Sequence, residues 1–228
     1  MNKKLLPLII ILVLSAFVYI FTHFVITPKK EKFIVVNPLN IAQIAQVSKF
    51  RSCVGHDYSG YNEDEELEKN RSMKHYITPK SEFLNSSNSV IIYSPFDGLV
   101  TNIEEESSRE GVQVSISPKT SQSYRFIFFH VRLLDGITKN SEVTAGQQIG
   151  FAMLEEYNNF DIALKKFISD NDFQILESPF EHMTPSVLSE YTQKGLEIED
   201  LIISKEDRDK LSCEFGIGSG QEEWVTLE

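Results

Sequence analysis

Chemically capable side chains crowd one stretch, KFRSCVGHDYSG at residues 49–60, which carries Arg51, Cys53, His56, Asp57 and Tyr58. Arg71, Lys74 and His75 follow in RSMKHYITP. Cys53 with His56 has the residue types of a nucleophile and its base, and Cys, His and Asp are also types that hold zinc. An inert buried thiol leaves the same trace in a sequence. So polar a stretch between apolar elements is either a surface loop or the lip of a site. His130 stands apart, at the end of the aromatic run YRFIFFH. A lone histidine there is more often packed and hydrogen-bonded than a ligand. The chain has no phosphate-binding glycine loop, CxxC pair, HExxH helix or GxSxG elbow, which removes several common enzyme classes.

The elements that must position these residues are strands. From Ser94 to Gly150, apolar runs alternate with turn signals at the spacing of an all-β unit. Asp97-Gly98 reads as a turn, VQVSIS at 112–117 alternates with one face to a core, and Tyr124 to Leu134 is a long strand. Earlier, KFIVV at 32–36 reads as a strand, and Asn40 as the cap of a short helix. NFDIAL at 159–164 is the last strand signal. Thr184 and Pro185 read as the N-cap and first turn of a short helix. The final thirty or so residues have little periodicity and are expected to form an appendage with a flexible end.

The chain of 228 residues has a formal charge of −11, which argues against nucleic acid as a partner. Leu5 to Ile26 carries no Asp, Glu, Lys or Arg, and a helix of that length crosses a hydrocarbon core of about 30 Å. It is expected to be an N-terminal transmembrane anchor. Lys3 and Lys4 before it nearly balance Lys29, Lys30 and Lys32 after it, offset by Glu31, so orientation is weakly specified. The expected organisation is an anchor over 1–28, a lead-in over 29–48, a β domain over 49–168 and an extension over 169–228. The two cysteines, Cys53 and Cys213, could form one disulfide or none.

SPFDGLV and VTAGQQIG, with an aromatic strand ending in His130 between them, resemble the lysostaphin-type zinc metallopeptidases. The resemblance covers roughly Lys49 to Leu164. It implies a small antiparallel β fold, the duplicated hybrid motif or barrel-sandwich hybrid type, with short flanking helices. It also implies a location outside the cytoplasm and action on cell-wall peptides. Active members need an HxxxD pair early in the domain and an HxH pair on the last core strand. The first His, the Asp and the last His bind zinc, and a histidine after the middle strand assists.

Matched to that pattern, Asp57 fits the aspartate ligand, with Cys53 where the histidine should be. His130 fits the middle-strand histidine, and HxH falls on Tyr157-Asn158-Asn159. Asn159 is then a poor substitute for a zinc ligand and Tyr157 replaces a catalytic histidine. The resemblance therefore implies a membrane-anchored relative without zinc or peptidase activity. Its groove would be lined by Arg51, Cys53, His56, Asp57, Arg71, His75, His130, Tyr157 and Asn159, and would bind cell-envelope glycan, peptide or a partner protein. The alternative is an atypical zinc metalloendopeptidase with Cys53, His56, Asp57 and His130 on the metal and His130 and Tyr157 assisting. A biotinyl- or lipoyl-type carrier fits poorly, since the residues around Lys119 in SPKTS do not match a modification hairpin.

Overall fold

A computed structural model describes residues 30–85, 90–106, 111–154, 158–168, 173–216 and 219–227. Lys32–Glu228 forms one compact unit, while Met1–Glu31 lies almost wholly outside the described residues. The strands in chain order are β1 (Ile44–Ser48), β2 (Gly60–Tyr61), β3 (Leu67–Glu68), β4 (His75–Pro79), β5 (Ile91–Tyr93), β6 (Gly98–Glu105) and β7 (Val112–Pro118). They continue with β8 (Tyr124–Leu133), β9 (Glu142–Val143), β10 (Gln148–Ala152), β11 (Phe160–Phe167), β12 (Gln174–Glu177) and β13 (Trp224–Thr226). The helices are short: α1 (Pro185–Thr192), α2 (Lys205–Asp209) and single 3₁₀ turns. The domain is thus all-β with short helices.

The main sheet runs β13-β1-β4-β11-β8-β7-β6-β9, with β10 branching from β8 to β5 and β12 joining β11 to β2 and β3. All strand pairs are antiparallel except β12 with β2. Alternation gives the sheet two faces. Phe126 and Phe128 of β8 and Phe160, Ile162 and Leu164 of β11 enter the main core with Ile77, Val114, Ile116 and Phe180. Ile127, Phe129 and Ala163 point the other way and form a small cluster under Tyr58. That second face is the one that matters for chemistry.

Several expectations change. Residues 32–36 do not form a strand: Ile34 makes one isolated bridge to Met183. Asn40 caps only a 3₁₀ turn, Ile41–Gln43, before the chain becomes β1. The end of the chain joins the sheet, because β13 pairs with β1. The transmembrane architecture is also corrected, and with it the anchored, single-pass location and the membrane as a partner. Among the described residues no helix is long and apolar enough to cross a membrane. The apolar run from Leu5 to Ile26 lies outside the described residues.

Candidate functional site

The second face of β11 presents Asp161, Ala163 and Lys165, each opposite a residue of β8: Phe129, Ile127 and Arg125. Tyr76 of β4 lies opposite Asp161, and Lys74 precedes β4 on the same face. Lys74 and Asp161 are ion-paired through Nζ and Oδ2, with side chains only 2% and 0% exposed. The ammonium also lies 4.9, 4.8 and 4.6 Å from the ring centroids of Tyr58, Tyr76 and Phe129, which supply cation–π attraction in place of water. His56 Nε2 is 3.3 Å from the same nitrogen, and His56 Nδ1 meets the Tyr76 hydroxyl at 2.9 Å.

His130 reaches this cluster through a backbone irregularity. By simple alternation, Phe129 and His130 would face opposite ways. The β7–β8 register shifts between Val112 and Val114, and His130 adopts φ 58°. After this bulge Val131, not His130, enters the core. The left-handed conformation is costly for a residue with a Cβ, by roughly 1 kcal/mol. In return Phe129 and His130 share a face. His130 Nε2 is 3.2 Å from Asp161 Oδ1, and its Nδ1 and backbone N–H meet Glu106 Oε2 at 2.5 and 3.1 Å. A continuous polar line results: Tyr76, His56, Lys74, Asp161, His130, Glu106.

The electrostatics follow from that line. Burial alone would raise the Asp161 carboxyl, but Lys74 and the His130 contact outweigh it and hold it below the usual carboxylate range. His56 is lowered, first by the desolvation of its inner edge and then by the Lys74 cation. Burial, helped by Asp161, raises the Tyr58 phenol. Lys165, farther along the face, is lowered by burial against the opposing pull of Glu104.

Of the residues singled out in the sequence, the structure brings His56 and His130 into this cluster. Asp57 is exposed beside it, its carboxylate accepting from the Ser59 hydroxyl. Arg51 and Arg71 lie elsewhere and both bind Glu68: Arg51 in a two-pronged contact at 2.8 and 2.9 Å, Arg71 at 2.8 Å. Burial raises the Glu68 carboxyl, but the arginines reverse this and leave it lowered. Arg71 also reaches Asp209 at 2.5 Å. His75 points into the opposite side of the sheet, fully buried between Ser48 O and Ser178 Oγ, and burial depresses it to about 4. Cys53 is bonded to Cys213. Asn159 stands just before β11, and Tyr157 lies outside the described residues. Arg51, Arg71 and His75 stand outside this cluster, and Cys53 is not a free thiolate.

Sequence reading named Lys74 only within a polar stretch, and placed neither it nor Asp161 nor Glu106 in the lining. A signal was present for the first two. Asp161 in NFDIAL is a single charge inside an apolar run, and Lys74 in SMKHYI stands between Met73 and the strand residues Tyr76 and Ile77. Charges so placed stay buried only when paired, so two of opposite sign predict each other.

No protein-family model matches the chain, and no curated protein matches it. It is similar to solved structures of several bacterial proteins. The Csd3 protein of Helicobacter pylori shares 16% identity over 86% of this chain and 47% of its own, at a TM-score of 0.46. A glycyl-glycine endopeptidase LytM of Ruminococcus gnavus shares 18% over 47% and 43%, at 0.36. The lysostaphin catalytic domain of Staphylococcus simulans shares 12% over 61% and 91%, at 0.39. The chain spans less than half the length of the Csd3 and LytM chains. At 18% identity or below and TM-scores under 0.5, these are likenesses of structure alone.

Proposed function

We propose that the domain is a non-catalytic binding module that holds an extended peptide along the second face of β11 and β8. One observation carries this reading: the centre of that face is filled by the Lys74 ammonium in contact with Asp161 and 3.3 Å from His56. A hydrolytic zinc needs three neutral or anionic protein ligands around an open position. The donor set present does not fit it. A fixed cation competes for the same carboxylate and imidazole, and Cys53 is held in a disulfide.

A peptide would lie over the half-buried outer rim of this face. There Tyr58 packs edge-on against Phe129, 5.9 Å between ring centroids, over buried Ile127 and Ala163, and half-buried Lys165 gives one end a positive charge. The test is titration of the full chain into fluorescent extended peptides, glycine-rich ones included, with the peptide recovered afterwards. The expected result is saturable binding with intact peptide. Tyr58→Ala and Lys165→Ala should each weaken it about tenfold, the scale of an anchoring contact. Cleavage of the peptide, or unchanged affinity in both variants, would overturn the reading.

A further inference from the structure

The Lys74 Nζ contact with Asp161 Oδ2 sets an amine precursor one bond away from the acyl carbon Cγ, almost without water. We propose that the two residues condense into an intramolecular isopeptide bond joining Lys74 Nζ to Asp161 Cγ, with release of one water. The bond concerns the same pair on which the peptide-binding reading rests, but it requires no ligand. Three features converge on it. The side chains are 2% and 0% exposed, so hydrolysis is suppressed. Three aromatic rings surround the nitrogen. Proton-transfer groups stand at both ends of the pair: His56 Nε2 at 3.3 Å from Nζ and His130 Nε2 at 3.2 Å from Oδ1. Holding the two groups together in this way makes their condensation an intramolecular step.

The atoms and charges balance within the cluster. The resting state is the ion pair, as the lowered Asp161 carboxyl indicates. One proton passes from Nζ to Oδ2 along the existing contact, which gives the amine and acid. The Nζ lone pair then bonds to Cγ. His130 donates from Nε2 toward Oδ1 as negative charge develops there, while Glu106 holds its Nδ1 side. A second proton leaves the nitrogen through His56 and returns to Oδ2, whose bond to Cγ breaks. Of the three ammonium protons, one remains on the amide and two depart in water. His56, His130 and Glu106 end as they began. Asp161 Oδ1, buried and without a well-aligned hydrogen bond, becomes the amide oxygen.

The experiment is intact mass of the full chain, reduced and denatured, followed by tryptic mapping. The expected chain is one water lighter than its sequence, trypsin does not cut after Lys74, and a branched peptide joins the Lys74 and Asp161 segments. Lys74→Arg should have full mass and no branch. His130→Gly suits the left-handed backbone and should fold, yet form the bond at least about a hundredfold more slowly. Wild type at full mass with two linear peptides after prolonged incubation would overturn the proposal, as would a His130→Gly variant that links at the wild-type rate. Peptide titration on the same sample reports separately: binding without a branch sinks only the isopeptide, and a branch without binding sinks only the binding reading.

Discussion

Truncating Lys74 to alanine strands the Asp161 carboxylate in a buried site. Removing one partner of such a pair typically costs about 3–5 kcal/mol, whereas replacing both with apolar groups of similar volume can be nearly neutral. Measured against wild-type chain that lacks the Lys74–Asp161 bond, urea unfolding should therefore show a large loss for Lys74→Ala and a much smaller one for Lys74→Met with Asp161→Leu. His75 makes a different prediction. Its folded value, about 4, is depressed below the unfolded one because burial disfavours the imidazolium. Above pH 6.5 both states are neutral, and His75 adds no pH dependence. As pH falls from 6.5 toward 4 the unfolded chain takes up the proton first, so stability drops by on the order of 3 kcal/mol. Unfolding midpoints of His75→Gln should lack that part of the acid slope.

At the scale of elements, the loop bearing His56 is held by the end of the chain. Cys53 is bonded to Cys213, its N–H reaches Glu223 at 2.5 Å, and Arg208 lies against both sulfurs while pairing with Glu223. Cys213 and Glu223 thus hold the loop at Cys53, three residues before His56. The disulfide closes a loop with a sequence separation of 160. Cys53→Ala with Cys213→Ala should lower stability by about 2–5 kcal/mol. Limited proteolysis should then cut the segment around residues 205–220 before the sheet. Gly55 is a second constraint on this loop. It has φ +72°, and a Cβ there would lie 2.1 Å from the Tyr76 ring. Gly55→Ala should displace His56 or Tyr76, seen as a shifted His56 imidazole resonance in NMR titration, with the sheet intact by circular dichroism.

Taken whole, the domain separates two jobs onto the two faces of one sheet. The core face is aromatic and closed, and Phe126, Phe128, Phe160 and Phe180 are all 0% exposed. Phe128→Ala should cost about 3–5 kcal/mol in thermal or urea unfolding, through lost burial and the cavity left behind. The other face carries the charges, and it keeps them because each is paired before it is buried. Glu68 with Arg51 and Arg71 serves the same end away from the Lys74–Asp161 cluster, joining the loop at residue 51 to β3 and, through Asp209, to α2.

The alternation of VQVSIS, the aromatic run to His130 and the apolar NFDIAL determined β7, β8 and β11, because strand periodicity is a local property of the chain. His56 and His130 were picked out as candidates because the chain has only five histidines, one in a polar stretch and the other at the resemblance's middle-strand position. The pairing of Lys74 with Asp161 was not local. It depends on β4 and β11 being neighbours, which no spacing in the sequence encodes. The orientation of His130 was decided by a bulge that reverses strand parity over one residue, and parity is invisible until the register with β7 is known. Arg51, Arg71 and His75 looked like lining because polarity in a sequence does not tell a groove from an ion network or a buried hydrogen bond. Tertiary structure made that distinction by supplying Glu68, Ser48 and Ser178 as their partners.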